Sequence, residues 1–290
     1  MIIPYGIPYK EKTVLALGYF DAVHVGHMRV LKKTLEVAES LGVEPCVLIF
    51  TGQKQGESKN LFTLMERILK ISKSSVANVI VKELSKEFMA KTETEFLNEL
   101  TSLYNPVAVV SGADFTFGKG ALGNTKTLEN YFGKDSVHTI PLIEIGGEKV
   151  STTKIKEYIA LGNVKDASKL LGGYYFISGE VIKGKSIGKS LGFPTANIIV
   201  EPEKLLVKNG VYKTETFIDG NVYKGITNVG SQPTVNGESI VIETHLDGFD
   251  GDLYGKFLIV HFVDRIRDIV KFSSLDELKI QLGKDLRSIR

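Results

Sequence analysis

Tryptophan is absent from the 290 residues, and cysteine occurs once, at Cys46. A single cysteine excludes an internal disulfide framework and a cysteine-rich zinc site, and it fits a reducing compartment with the cytoplasm as the default location. No apolar run approaches the roughly 18 residues of a membrane-spanning helix. The N-terminal MIIPYGIPYKEK also lacks the positive-then-apolar order of a secretory signal. A soluble, unexported chain is expected. An excess of one charge is missing too: 36 Lys+Arg against 34 Asp+Glu leave +2, and division at residue 160 leaves +1 in each half. A basic nucleic-acid-binding domain, an acidic tail and a membrane partner are therefore not expected. With 43% hydrophobic and 24% charged residues, the chain has the bulk for two ordinary domains.

From residue 12 to about 161, apolar runs alternate with amphipathic segments. Residues 14–18, 45–50, 79–82, 107–111 and 138–140 read as short strands buried on both faces, and residues 27–41, 64–74, 92–104 and 125–132 as helices between them. That order predicts crossover units and a parallel, doubly wound sheet with ligands at the carboxyl ends of its strands. Two more helices are expected at 151–161 and 164–171, the second ending at Gly172-Gly173. Beyond Gly173 the pattern changes to β-rich runs at 174–182, 197–200, 210–218, 221–229, 240–246 and 253–262, with an Asp219-Gly220 hairpin turn. An antiparallel barrel follows from these runs. The last segment, 274–289, repeats Leu275, Leu278, Leu282 and Leu286 at helical spacing and predicts a helix packed on the barrel. The α/β half gives way to the β half between about 160 and 173, and the division is placed at 1–162 and 163–290.

The end of the first strand and the start of the first helix carry Gly18-Tyr19-Phe20-Asp21-Ala22-Val23-His24-Val25-Gly26-His27. A helix N-terminus offers free N–H groups and a positive dipole end, so this corner is a ready phosphate site. An isolated H-x-x-H reads as capping side chains or a pair of metal ligands, but strand, glycine, aspartate and H-x-G-H together are far more specific. Farther on, Ser151-Thr152-Thr153-Lys154-Ile155-Lys156 opens a helix with hydroxyls and cations. Two glycine-rich strings mislead as generic motifs. Gly118, Gly120 and Gly123 satisfy G-x-G-x-x-G but follow the fourth strand, not the first. Gly184 to Lys189-Ser190 is one residue short of a Walker A loop and has no helix after it.

The first corner resembles the signature of the nucleotidylyltransferase superfamily, with Ser151 to Lys156 resembling its second element. The run from Gly179 through Gly192-Phe193-Pro194-Thr195-Ala196-Asn197 resembles the riboflavin kinase signature, and Gly225 to Thr234, Glu243-Thr244-His245 and Asp252 to Lys256 match its further blocks in order. The whole chain is thus similar to the bacterial bifunctional riboflavin kinase/FAD synthetase family. The resemblance implies an N-terminal doubly wound nucleotidylyltransferase domain that adenylylates FMN to FAD, releasing pyrophosphate, and a C-terminal barrel that phosphorylates riboflavin to FMN with ATP and Mg²⁺.

By that resemblance His24 and His27 act on the ATP phosphates, assisted by Gly18, Phe20, Asp21, Gly26, Ser151, Thr152, Thr153 and Lys154. Asp114, Phe115 and Phe117 lie by the flavin. In the kinase, Glu243 is the base facing the ribityl hydroxyl, Thr195 and Asn197 hold Mg²⁺ and nucleotide, Gly184, Lys189 and Gly192 serve ATP, and Arg267 serves the flavin. The expected partners are riboflavin, FMN, FAD and ATP, in a monomer or weak homo-oligomer. The chain departs from the family where a Thr-Phe-x-Pro-His-Pro segment is usual, reading Ile49-Phe50-Thr51-Gly52-Gln53-Lys54, and has Ala22 for glycine and Lys156 for arginine. Lysine keeps the charge without the bidentate fork. Three readings stay open: the bifunctional enzyme, a riboflavin kinase with a weakened or degenerate first domain, and a non-catalytic flavin-binding regulator.

Overall fold

The computed structural model describes residues 1–52, 59–184, 188, 191–234 and 237–290, with 231–234 and 237–239 described by backbone alone. The chain divides into two compact units, Met1–Thr152 and Thr153–Arg290.

The first unit is built on β1 (Ile2–Pro4), β2 (Thr13–Leu17), β3 (Glu44–Thr51), β4 (Asn78–Glu83), β5 (Pro106–Gly112) and β6 (Val137–Ile140). They form one sheet in the order β1-β4-β3-β2-β5-β6, with every neighbour parallel. Leu15 and Leu17 face one core while Val14 and Ala16 face the other, so the strand is apolar without interruption because both of its faces are covered. The helices α1 (Val25–Leu41) and α2 (Leu64–Ser72) bury Leu31 and Ile71 in the Val14 layer. On the opposite layer, α3 (Lys86–Met89), α4 (Glu93–Tyr104) and α5 (Thr125–Phe132) bury Phe88, Leu97 and Leu128. Cys46, on β3, is fully buried, and that burial pushes its thiol pKa up to about 12. Since β2 lies between β3 and β5, the chain reverses direction across the sheet there, and the crevice opens at the carboxyl ends of β2 and β5.

The expected doubly wound sheet is present, with additions. β1, α3 and the small antiparallel pair β7 (Glu144–Ile145) and β8 (Glu148–Lys149) are too short to show a period. Then come α6 (Thr152–Leu161) and α7 (Val164–Leu171).

The second unit is a closed barrel of β9 (Tyr175–Ile182), β10 (Ala196–Ile199), β11 (Gly210–Ile218), β12 (Asn221–Thr234), β13 (Gly237–Leu246) and β14 (Phe257–Arg267), in the order β10-β13-β12-β11-β14-β9. Its pairs are all antiparallel. Asp219 (φ 49°) and Gly220 (φ 84°) form the turn with Ile218 opposite Asn221, the two-residue hairpin that both left-handed positions favour. The hairpin of β12 and β13 runs farther than local composition indicates: Gly230 to Thr234 pair with Val241 to Gly237, because cross-strand bonding overrides the turn propensity of Gly, Ser and Pro. β14 begins later than expected, since Leu253 and Lys256 close a turn. A helix over Leu275–Ile289, capped by Ser274, packs Ile289 against Val211 and Ile226 on the barrel's outer face.

Inside the barrel a chain of buried hydroxyls crosses neighbouring strands, with Thr214 Oγ1 2.8 Å from Thr227 Oγ1 and Thr227 Oγ1 2.7 Å from Thr244 Oγ1. Thr227 is the shared member. Thr227→Val preserves shape and removes the central hydroxyl, so a loss of about 1–3 kcal/mol of stability is expected by urea denaturation of the full chain. An unchanged midpoint would mean that the flanking threonines do not depend on it.

Candidate active sites

At the carboxyl end of β2 the chain turns sharply into α1. Phe20 (φ 52°) and Val23 (φ 42°) adopt left-handed backbone and are fully buried. A Cβ on Gly18 would lie 2.8 Å from the Phe20 ring, and one on Gly26 3.0 Å from the His24 ring, so these glycines give room to aromatic side chains. Asp21 is 1% exposed, and its Oδ1 accepts from the N–H groups of Leu61 (2.8 Å) and Phe62 (3.4 Å). Phe20 and Asp21 thus shape the corner from beneath.

His24 is the N-cap of α1, and the helix begins at Val25, two residues before the periodicity indicates. Its Nδ1 accepts from the His27 N–H at 3.2 Å while His27 Nδ1 accepts from the His24 N–H at 3.4 Å, a capping box made of two imidazoles. The rings stack with centroids 3.7 Å apart and planes 7° from parallel. An accepting Nδ1 assigns the ring proton to Nε2, so each ring presents one N–H beside the free amides of the helix N-terminus. Burial holds the His24 pKa down to about 4, against the pull of Asp114, so this ring is a neutral donor at neutral pH.

The Asp114 to Phe117 segment follows β5, at the neighbouring strand end. Asp114 is exposed and pairs with Lys149 at 3.2 Å. Phe115 and Phe117 stack at 5.6 Å, with Phe117 buried against Phe96 and Phe115 half-exposed beside it. Phe115 therefore presents the accessible ring, while Phe117 supports it. In the glycine string, Gly118 and Gly120 have φ 73° and 64°, and a Cβ on Gly123 would lie 2.6 Å from Phe117. These glycines serve a tight turn. Ser151 and Thr152 end the first unit, and Thr153 and Lys154 begin the second on α6. Lys154 lies 3.6 Å from Glu157 and over the Tyr158 ring at 4.9 Å.

Two side chains at this site gave no local signal. Lys149 reaches Asp114 from the short β8. Arg67, buried on α2, donates from Nη1 to the carbonyls of Phe50 (2.7 Å) and Tyr19 (3.3 Å), tying the ends of β3 and β2 together. A lone arginine in an amphipathic helix ordinarily reads as solvated surface.

On the barrel, register does the assembling. Asn197 of β10 lies opposite Glu243 of β13, which lies opposite Asn228 of β12. These side chains share the outer face, since the alternate residues Ile242 and Thr244 point inward and are buried. His245 Nδ1 is 2.9 Å from the Pro194 carbonyl oxygen, and its ring meets Phe193 edge-on at 5.5 Å, so β13 also holds the segment carrying Thr195. A Cβ on Gly184 would lie 2.2 Å from the Asn197 amide, and one on Gly188 2.4 Å from the Phe193 carbonyl oxygen, so backbone approaches the row closely at both points. Gly192 takes φ 86°. Lys189 lies outside the described residues, as do Gln53 and Lys54.

A cavity of about 290 Å³ adjoins this row. Thr195, Asn228, Glu243 and His245 line it together with Phe272, Leu278 and Leu282. The leucines of the C-terminal helix, expected only as packing, thus also form an apolar wall. Arg267 lines the cavity too, with its guanidinium engaged by Asp285 at 2.6 Å. Among the described residues no group of three or more His, Cys, Asp or Glu is placed to hold a metal ion.

The FAD synthetase family model matches residues 7–154 and the riboflavin kinase family model residues 171–290. The bifunctional riboflavin kinase/FMN adenylyltransferase of Bacillus subtilis is 32% identical over 287 residues, covering 95% of this chain and 91% of that protein. The chain belongs to the bifunctional riboflavin kinase/FMN adenylyltransferase family. The Haemophilus influenzae member is likewise 32% identical, covering 97% of this chain and 94% of its own. A Streptococcus pneumoniae crystal structure, described as a macrolide-efflux protein, matches with a TM-score of 0.89 at 30% identity, covering 100% of this chain and 98% of its own. In this family member, among the described residues, no helix is long and apolar enough to cross a membrane.

The histidine cap sets a pH test. The folded pKa of His24, about 4, lies below the ordinary value of 6.5, so the unfolded chain takes up the proton first. Stability is complete above pH 6.5 and falls as pH drops toward 4. His24→Asn keeps a cap acceptor without a titrating ring. Between pH 7 and 4.5 the wild type is expected to lose about 2 kcal/mol more than the variant. Parallel stability curves would refute the buried neutral ring.

Proposed function

We propose that the barrel phosphorylates riboflavin to FMN with ATP and that the α/β domain transfers AMP from a second ATP to FMN, giving FAD and pyrophosphate. The observation that carries the reading is the row Asn197, Glu243, Asn228 at the rim of a cavity whose far wall is apolar. A flat flavin ring suits the wall of Leu278 and Leu282, and a polyhydroxyl tail suits the rim. Glu243 then orients the terminal ribityl hydroxyl and accepts its proton as the oxygen attacks the γ-phosphate and ADP leaves, a fitting role in a loose phosphoryl-transfer transition state.

Thr195 and Asn197 supply hard oxygen donors beside Glu243, and a small donor set completed by phosphate and water fits Mg²⁺. When bound there, Mg²⁺ neutralises phosphate charge. Gly184, Gly188 and Gly192 let backbone amides approach the phosphates, with Lys189 on the same segment.

In the first domain, attack of an FMN phosphate oxygen on the α-phosphate of ATP expels pyrophosphate, and charge grows on the α-phosphate oxygens. The Nε2–H groups of His24 and His27 and the amides of α1 stabilise it without a covalent intermediate. Gly18, Phe20, Asp21 and Gly26 hold that corner in shape, and Ser151 and Thr152 grip the leaving phosphates. Phe115 stacks on the flavin, supported by Phe117, with Asp114 beside it and Arg267 serving the flavin of the kinase. The functional division falls at 162, after α6, which Ser151 and Thr152 open. The enzyme works in the cytoplasm as a monomer or weak homo-oligomer, with no nucleic-acid or membrane partner.

Chromatography of flavins after incubation with riboflavin, ATP and Mg²⁺ tests the reading: FAD supports both steps, FMN alone leaves a kinase with a degenerate first domain, and neither product leaves a binding protein. Glu243→Gln should lower FMN formation by roughly a hundredfold or more while riboflavin binding, followed by fluorescence quenching, stays intact. Binding lost together with rate would point to a structural glutamate.

His27→Ala, assayed by pyrophosphate release from FMN and ATP in the Glu243→Gln background, should lose about 3–4 kcal/mol of transition-state stabilisation. The unsubstituted first domain is expected to turn over slowly, given Thr51-Gly52 in place of the usual segment. Pyrophosphate release at equal rates with and without His27 would remove the histidines from the chemistry.

A further inference from the structure

The C-terminal helix buries a carboxylate for which the proposed chemistry has no use. Asp285 is 2% exposed and lies in the stripe Leu278, Leu282, Asp285, Leu286, Ile289, otherwise apolar. Arg267, at the end of β14, meets it with the Nε–Nη2 edge of its guanidinium: Nε donates to Oδ1 and Oδ2 at 3.1 Å each, and Nη2 donates to Oδ2 at 2.6 Å. Gln281 Nε2 adds a donor to Oδ1 at 2.7 Å, and Arg267 Nη1 donates to the Asp268 carbonyl at 3.1 Å. Both partners are thus fixed in direction as well as in distance.

The position of the pair along the helix gives it meaning. C-terminal to Asp285, Leu286 and Ile289 pack on Val211 and Ile226 of the barrel. N-terminal to it, Leu282 and Leu278 line the cavity, which reaches the same Val211 and Ile226. Apolar side chains of one kind tolerate small rotations and slides, because neighbouring leucines offer much the same surface. A planar guanidinium on a carboxylate does not. A buried ion pair adds little net stability over apolar residues of the same volume, so its main consequence is register.

We propose that Asp285 is a positioning residue for the kinase: through Arg267 it fixes the rotation and height of the C-terminal helix, so that Leu278 and Leu282 close the wall against which riboflavin binds. The proposal rests on reading the cavity as the riboflavin site. It assigns Asp285 an effect on riboflavin affinity and none on ATP, whose proposed contacts lie on the Gly184 to Asn197 side. Arg267, about four-fifths covered, is held against the helix by the same bond, which makes it part of the wall.

The test is Asp285→Asn in the full chain, which keeps the shape and replaces a carboxylate oxygen by a donor facing Arg267. Riboflavin affinity, read by flavin fluorescence quenching, should fall about tenfold or more, the cost of a misplaced apolar wall. The KM for ATP should stay within about twofold, kcat should change less than the KM for riboflavin, and Asp285→Glu should recover much of the affinity. Hydrogen exchange should quicken at 278–282 and remain unchanged in β11, β12 and β13. Riboflavin and ATP constants that worsen together, with exchange faster throughout the barrel, would mean a general structural role and overturn the proposal, as would unchanged affinity and exchange. A wild-type chain that binds no riboflavin would sink the functional reading and the affinity claim together; the exchange comparison alone would then decide whether Asp285 sets the helix.

Discussion

Strand alternation governs both units, and each unit uses it differently. In the parallel sheet both directions lead into a core, Val14 to one layer and Leu15 to the other, so no side chain projecting from the middle of a strand can meet a ligand. Polar chemistry is forced to the strand ends, where His24 and Asp114 follow β2 and β5. In the barrel only one direction is filled. The other faces outward, so β13 carries Glu243 and His245 at mid-strand while Ile242 and Thr244 fill the interior. One unit carries its candidate site on loops at the carboxyl end of the sheet and the other on the sheet itself.

The two sites consequently differ in what holds them still. At the α1 corner, buried Phe20 and Val23 sit in left-handed backbone, Asp21 is bonded to the amides of Leu61 and Phe62, and the histidines cap each other. Order there comes from local bonds and packing beneath the loop. On the barrel, the spacing of Asn197, Glu243 and Asn228 is set by the ladder on both sides of β13. A one-residue slip of β13 would turn Glu243 and His245 inward and carry Thr244 out of the threonine hydroxyl chain.

Much of this was legible in the order of residues. Uninterrupted apolar runs separated by amphipathic segments announced the parallel sheet, H-x-G-H fell at the β2–α1 junction, and Asp219-Gly220 formed its hairpin. What escaped was set by tertiary register. Gly230 to Thr234 look like a turn until they pair with β13. Leu278 and Leu282 look like packing because nothing local distinguishes a core wall from a cavity wall. Arg267 was expected at the flavin, and its partner Asp285 lies 18 residues on, on another element, beyond the reach of any periodicity. The reciprocal imidazole cap was hidden for a different reason: Ser, Thr, Asp and Asn dominate the N-cap position, so a histidine there draws attention to its chemistry and away from its bonding.

The burial of Cys46 bears on how the chain can be handled. Its thiol is fully enclosed in β3, and its pKa is raised far above physiological pH, so almost none is present as the reactive thiolate. In the folded state the sequence therefore behaves as a cysteine-free background without any substitution having been made. A single cysteine introduced at an exposed position, such as Leu275 on the C-terminal helix or Phe217 on the barrel, would be the sole target of a maleimide dye or a nitroxide. Distances between the helix and the barrel could then be followed in solution with the native core left untouched.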